Sequence, residues 1–351
     1  MSSSGSNTTS SNVDTINALQ HSKILFIKVW CFTMISCGFV GHTLSIYVFT
    51  RRSLYSNPCA RYFLASAMIG MAVVVILVPL RLLQAGYNID AFVSSAAICG
   101  ILTWFLNSIK ALPSWIIVLA CADLFLCSSQ SVTIRAWSSI RVVTPAVSLT
   151  IVIVGLTYIH VAFYTRLSAA PSCAFLPGTY TIFLGIFNLF LFSMGPPIGM
   201  LSFGLLTIRN IRRSVKRVVP NTNLSQTQNE TQQRQKATDR QLIQMMIAQF
   251  IFYTLTTTPN SVFFIYSSAI SNNVANALQT ARLSLVSNIV SYITNGGACL
   301  SFYLFTLSSK LFRRELMHLF RCQRGTIRPI TISRSNRAQK ALTIPLSQLN
   351  R

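Results

Sequence analysis

Seven stretches of this chain are long and apolar: residues 24–50, 60–86, 96–127, 143–165, 180–208, 241–268 and 279–307. This recurrence constrains the fold more than any other feature. A helix rising ~1.5 Å per residue needs about 20 residues to cross the ~30 Å hydrocarbon core of a bilayer. Each stretch exceeds that length. A helix satisfies its backbone N–H and C=O groups internally, so it can cross hydrocarbon without stranding polar groups. The expected fold class is an all-α membrane protein, a seven-transmembrane helix bundle. Prolines interrupt several stretches (Pro79, Pro113, Pro196, Pro197 and Pro259). In a membrane helix, proline marks a kink rather than an end.

The chain is 52% hydrophobic and 10% charged, yet its net charge is +23, so the bases must be concentrated. If the N-terminus lies outside, the inner segments are 51–61, 128–142, 209–240 and everything from 308. They hold 3, 2, 8 and 10 Lys or Arg, which is 23 of the 29. Basic loops remain on the cytoplasmic side, so the expected topology is N-terminus outside and C-terminus inside. Such a face meets anionic membrane lipid, and the charge needs no nucleic-acid partner.

The 6 acids are Asp14, Asp90, Asp123, Glu230, Asp239 and Glu315, none deep in an apolar stretch. That disfavours a proton-relay transporter and a carboxylate-based enzyme. The 9 cysteines contain no CxxC pair, and His21, His42 and His160 are scattered. No metal, cofactor or catalytic set is expected.

Outside the apolar stretches, residues 1–23 are rich in Ser, Asn and Thr and read as a disordered extracellular tail. Asn7 begins an N-glycosylation acceptor pattern. Residues 220–236 are polar and also read as disordered. Residues 309–322 set Leu311, Phe312, Leu316, Leu319 and Phe320 between bases, the pattern of a short amphipathic helix on the inner leaflet. Cys322 at its end is either a palmitoylated cysteine or an unmodified thiol. The expected division is the tail 1–23, a membrane domain 24–322 and a basic disordered tail 323–351.

Lys110 is the most informative polar residue inside an apolar stretch. It lies 11 residues past Cys99, or about 16 Å along a helix, in the outer half. A cation at that depth is costly and is usually paired or functional. No acid lies at matching depth in another stretch. A ligand carboxylate, backbone carbonyls or water then satisfies the ammonium, or its flexible stem snorkels to a wet cavity. Trp104, Asn107, Pro113 and Ser114 neighbour it on the same helix, and Trp104 and Asn107 are candidate ligand-binding residues beside it. Arg81 either adds a second positive group or pairs with Asp90. Phe263 and Tyr266 either wall a pocket or simply pack.

Seven apolar stretches with an eighth amphipathic segment resemble the rhodopsin-like G-protein-coupled receptors. "YVFTRRSLYSNPCARYFLASA" (Tyr47–Ala67) and "SFYLFTLSSKLFRREL" (Ser301–Leu316) are similar to invertebrate neuropeptide receptors, especially the FMRFamide-receptor-like group. The resemblance covers about residues 25–322 and implies several roles. Cys99 and Cys173 take the positions of the family's disulfide, the alternative being two free thiols. Asp123, 24 residues past Cys99, takes the acid of the Asp-Arg-Tyr switch, at an inner interface where its charge reaches water. Arg135 or Arg141 is its candidate partner, and a plain helix-end anchor is the alternative. Leu124 stands where the family has arginine. His42 follows Gly41 where the family has asparagine, a structural bridge among the first, second and seventh helices. The second helix lacks the sodium-binding aspartate. Thr256-Thr257-Thr258-Pro259 keeps the proline kink without the tryptophan switch. Ser301 to Phe305 replaces Asn-Pro-x-x-Tyr.

The resemblance implies a plasma-membrane receptor for an extracellular ligand, a peptide or an anion, coupled to a heterotrimeric G protein. Its degenerate switches imply, as the alternative, a non-signalling scavenger or partner subunit. A transporter or channel is the third reading.

Overall fold

Helix capping and proline chemistry set the element boundaries. The computed structural model describes residues 5–167, 173–176, 178–217, 226–270, 276–308, 312–314 and 316–317. Among them are seven long helical segments. The first is Gly5–Phe49. The second is Pro58–Ala72 and Val78–Gly86, joined by a π-helical turn at Val73–Leu77. The third is Ala96–Ser128. The fourth is Ile140–Thr157, continued by Ile159–Phe163. The fifth is Thr179–Asn188 and Gly195–Arg217 around a π-helical turn at Leu189–Met194. The sixth is Gln226–Ile270, and the seventh is Ala277–Cys299 followed by Ser301–Ser308. A two-stranded antiparallel hairpin, β1 (Thr165–Leu167) with β2 (Cys173–Phe175), lies between the fourth and fifth helices.

The helix starts follow from local chemistry. The side chains of Asn57, Ser95 and Asn276 accept bonds from the first-turn N–H groups of the second, third and seventh helices. Such caps satisfy donors that a helix end leaves orphaned. Both π turns sit immediately before or against proline. Pro79 cannot supply an N–H to the carbonyl four residues back, and its ring crowds that carbonyl. The backbone widens there instead of breaking. Pro196 and Pro197 have the same effect on Phe192 and Ser193. Pro113 and Pro259 remain inside α-helix.

Two segments expected to be disordered are helical where they are described. The first helix begins at Gly5, so the extracellular tail read over residues 1–23 is mostly an extension of that helix. No proline interrupts it, and extending an existing helix costs far less than nucleating one. The sixth helix begins at Gln226, within the stretch 220–236. Its Gln, Glu, Lys and Arg are good helix formers. The side chains of Asn7 and Phe305 lie outside the described residues, as do Cys322 and the tail 323–351. Of the segment 309–322, residues 312–314 and 316–317 are described, and they are helical.

Among the described residues, five helices are long and apolar enough to cross a membrane: Asn12–Phe49, Pro58–Gly86, Ala96–Ser128, Ile140–Phe163 and Thr179–Ile211. The seventh helix is broken at Leu300 and carries Ser287, Asn288, Ser291 and Asn295. The exterior is apolar: Val75, Leu149, Val152, Leu156, Phe190 and Leu255 are all more than half exposed. An unbroken apolar surface of this kind does not persist in water. The exterior and the helix lengths are those of a membrane protein.

The third helix is central. It packs against the second, fourth and fifth and touches the sixth and seventh. One apolar core lies at its far end from Cys99, joining Phe49, Phe63, Ile117, Leu124, Met246 and Phe312. Two smaller cores lie toward the Cys99 end. One includes Ile27, Leu77, Phe92 and Leu106, and the other Leu112, Tyr158, Phe192 and Tyr253.

Candidate functional site

Between the two smaller cores the bundle is not filled. A cavity of about 440 Å³ opens among the second, third, fifth, sixth and seventh helices. It lies at the end of the molecule where Cys99 and Cys173 form a disulfide that closes 74 residues of chain. The disulfide anchors β2 to the start of the third helix, and Phe175 of β2 lines the cavity.

Lys110 and Arg81 both line this cavity, and no aspartate or glutamate is among the described residues lining it. Among the described residues, the partner of the Lys110 ammonium is the face of the Phe192 ring, 5.0 Å from its centroid. A ring face attracts a cation through its quadrupole, but it supplies no formal countercharge. Arg81 is differently held. Its Nη1 donates to Gln84 Oε1 at 2.7 Å, and Gln84 Nε2 donates to Asp90 Oδ2 at 3.1 Å. Asp90 thus hydrogen-bonds Gln84, and Arg81 lies within its electrostatic reach; it also caps the helical turn Ala91–Ser94 through the Phe92 N–H. The guanidinium lies over the Phe92 ring at 5.2 Å.

The opposite wall is polar and uncharged. Ser287, Asn288, Ser291 and Asn295 of the seventh helix form one helical stripe toward the cavity. Asn260 and Ser261 of the sixth helix and Asn188 of the fifth complete it. Asn107 of the third helix joins Lys110 there.

Three expected wall residues lie elsewhere. The Trp104 indole donates to the Gly155 carbonyl at 2.8 Å and so faces the fourth helix. Phe263 and Tyr266 pack against each other, and Tyr266 is half exposed. The sixth helix presents positions 260, 261 and 264 to the cavity. At a period of 3.6 residues, 263 and 266 then fall outside that stripe. Apolar character alone gave no way to choose Phe264 over Phe263. The polar stripe of the seventh helix did carry a signal, since four Ser and Asn residues within nine positions of a membrane-length helix need internal partners.

The far end of the bundle is built differently. Leu124 is 3% exposed and packs in the apolar core with Ile243, Met245 and Met246 of the sixth helix. Asp123 is also buried, at 5% exposure, and Tyr62 of the second helix lies within its electrostatic reach. The expectation that Asp123 reaches water is therefore corrected. The third helix runs on to Ser128, and the short helix Val132–Ala136 packs against it. Arg135 and Arg141 are exposed. His42 is buried with its ring against Gly70 of the second helix, where a Cβ would collide with the imidazole.

Around the kinks, side chains replace what proline removes. Pro196 leaves the Phe192 carbonyl without its helical donor, and the Tyr253 hydroxyl donates to it at 2.9 Å. Ser193 donates to the Thr257 carbonyl at 3.1 Å and shares a hydrogen bond with Ser261 at 2.5 Å. Thr257 is fully buried, two residues before Pro259. Ser301 is buried at the start of the last helical segment, after the break at Leu300. No protein-family model matches this chain, and no curated protein matches it closely enough to count as a relative.

Proposed function

We propose that the chain is a seven-helix receptor of the plasma membrane, with its N-terminus outside, that binds an extracellular anionic ligand in this cavity. The ligand is a peptide carboxylate or a smaller acid. It reaches Lys110 and Arg81 from the side of the disulfide. In this reading the sixth and seventh helices also cross the membrane. The 23 of 29 bases on the inner segments favour that topology. The resemblance to rhodopsin-like receptors adds the output, a heterotrimeric G protein meeting the inner ends of the helices.

One observation carries the reading: two cations line a cavity that has no acid among its described lining residues. A ligand supplies the missing charge. Agonist binding then favours a conformation with the sixth helix displaced about Pro259, provided that conformation binds the ligand more tightly. The test is expression at the cell surface, a screen with acidic peptides and small acids, and a readout of G-protein dissociation. Silence of surface-expressed protein across the screen ends the signalling reading.

A second reading keeps the ligand and drops the signal. Leu124, buried in apolar packing where the resemblance expects arginine, favours it. Ligand binding without G-protein dissociation would select a scavenger or partner subunit. A transporter or channel is separated from both by a flux assay in reconstituted vesicles.

A further inference from the structure

The geometry points to the chemical class of the ligand: a small anion bearing hydroxyl or amide N–H groups and lacking an amine, as in a sugar acid or sugar phosphate. This rests on reading the cavity as the ligand site and goes on to what its uncharged wall demands. The wall is rich in side-chain amides whose hydrogen bonds are partly spent. Asn107 Nδ2 donates to the Thr103 carbonyl at 2.8 Å, and Asn288 Nδ2 donates to the Ser284 carbonyl at 2.7 Å. These bonds orient both amides, because a carbonyl accepts only from the nitrogen end. The oxygen ends are then the acceptors left over.

Asn295 carries the point further. It lines the cavity, is 8% exposed, and its buried Oδ1 has no hydrogen-bond partner. A buried acceptor left unmade costs about 1–3 kcal/mol, so a turn of the Asn295 side chain that brings Oδ1 to a donor in the cavity is favoured. The donor must be neutral. An ammonium would enter beside Lys110 and Arg81, and no carboxylate is among the described lining residues to offset the repulsion. An alkyl chain would leave the amide oxygens desolvated and unpaired. A hydroxylated anion meets both ends: its charge lies at Lys110, and its O–H groups donate to the amide oxygens. The volume, about 440 Å³, suits a molecule of monosaccharide size with some of its water.

The test uses the full chain in lipid nanodiscs and measures thermal stabilisation by gluconate, glucose 6-phosphate, hexanoate and glucosamine at millimolar concentration. The result expected is stabilisation by gluconate or glucose 6-phosphate, the better of the two naming carboxylate or phosphate as the anion. Hexanoate should bind at least about tenfold more weakly, and glucosamine should not bind. Lys110→Gln should abolish the shift. Asn295→Leu should reduce the hydroxylated anion to the level of hexanoate. Asn107→Asp, nearly isosteric and one turn from Lys110, should remove anion binding with the fold intact, by supplying the countercharge internally.

Hexanoate binding as tightly as gluconate, through Lys110, would overturn the hydroxylated class and leave the anion reading standing. So would an unchanged gluconate affinity in folded Asn295→Leu. Absence of any Lys110-dependent shift across the four compounds would overturn the hydroxylated class, and the anion reading falls with it when acidic peptides produce no Lys110-dependent shift either.

Discussion

The two ends of the third helix present opposite solutions to the same problem. In its first half, Lys110 faces a polar cavity, and its partner among the described residues is an aromatic ring. Near its finish, Leu124 is sealed into apolar packing with the sixth helix. One end keeps a cation beside open space, and the other buries an acid, Asp123, next to apolar packing. The contrast teaches where this bundle can respond. A cavity holding unneutralised charge gains free energy when an anion enters. A dry floor resists opening, because every buried side chain must lose its contacts together.

The sharpest attempt to break the contrast is Leu124→Arg. A guanidinium in that apolar floor should destabilise the purified protein by about 3–5 kcal/mol, the range for an uncompensated buried charge. It should also raise basal G-protein activation in cells if the floor is what holds the output silent. A variant with wild-type melting would mean that the floor is already open. Next in size, Cys99→Ser should cost about 2–5 kcal/mol, because the bond closes a long loop. The loss should reappear when the wild type is heated with reductant. The disulfide anchors the cavity end alone, so packing around Leu124 should survive, as read by protection of floor cysteines such as Cys121 from alkylation.

Lys110→Gln should weaken an anionic ligand by about 1.5–3 kcal/mol. Melting should hold steady or rise, since an unpaired cation is removed from the bundle. Lower melting with intact affinity would give Lys110 a structural role. Tyr253→Phe removes the hydroxyl that serves the Phe192 carbonyl between the two ends. It should cost about 1–2 kcal/mol in stability and leave ligand contacts in place. The smallest effect belongs to Trp104→Phe. Losing the bond to Gly155 should cost about 1 kcal/mol and leave ligand affinity unchanged, because the indole points away from the cavity.

Much of this could be read from residue order, but unevenly. Long helices follow from apolar length, and the irregular turns of the second and fifth helices from Pro79, Pro196 and Pro197, because both depend on the local backbone. Lys110 and Arg81 stood out because a membrane interior makes cations conspicuous. Trp104, Phe263 and Tyr266 did not sort correctly, because aromatic rings suit a pocket wall, a helix interface and lipid equally well. Only helix rotation separates Phe264 from Phe263. Asp123 was read as reaching water, and the structure buries it with Tyr62 of the second helix nearby, a matter of packing between helices that residue order does not display.

What the amino-acid order determined alone is the solvent this chain suits and the charges it must manage there. Apolar length, the placement of bases and the scarcity of acids are local quantities, and the bilayer acts on them directly. What only the tertiary structure decided is which polar groups meet. Asn295, Asn107 and Lys110 come from separate helices or separate turns, and they share a cavity because rigid helices present fixed faces once packed. The same packing closed Leu124 into a dry floor, since its neighbours Ile243 and Met246 lie more than a hundred residues away in the chain.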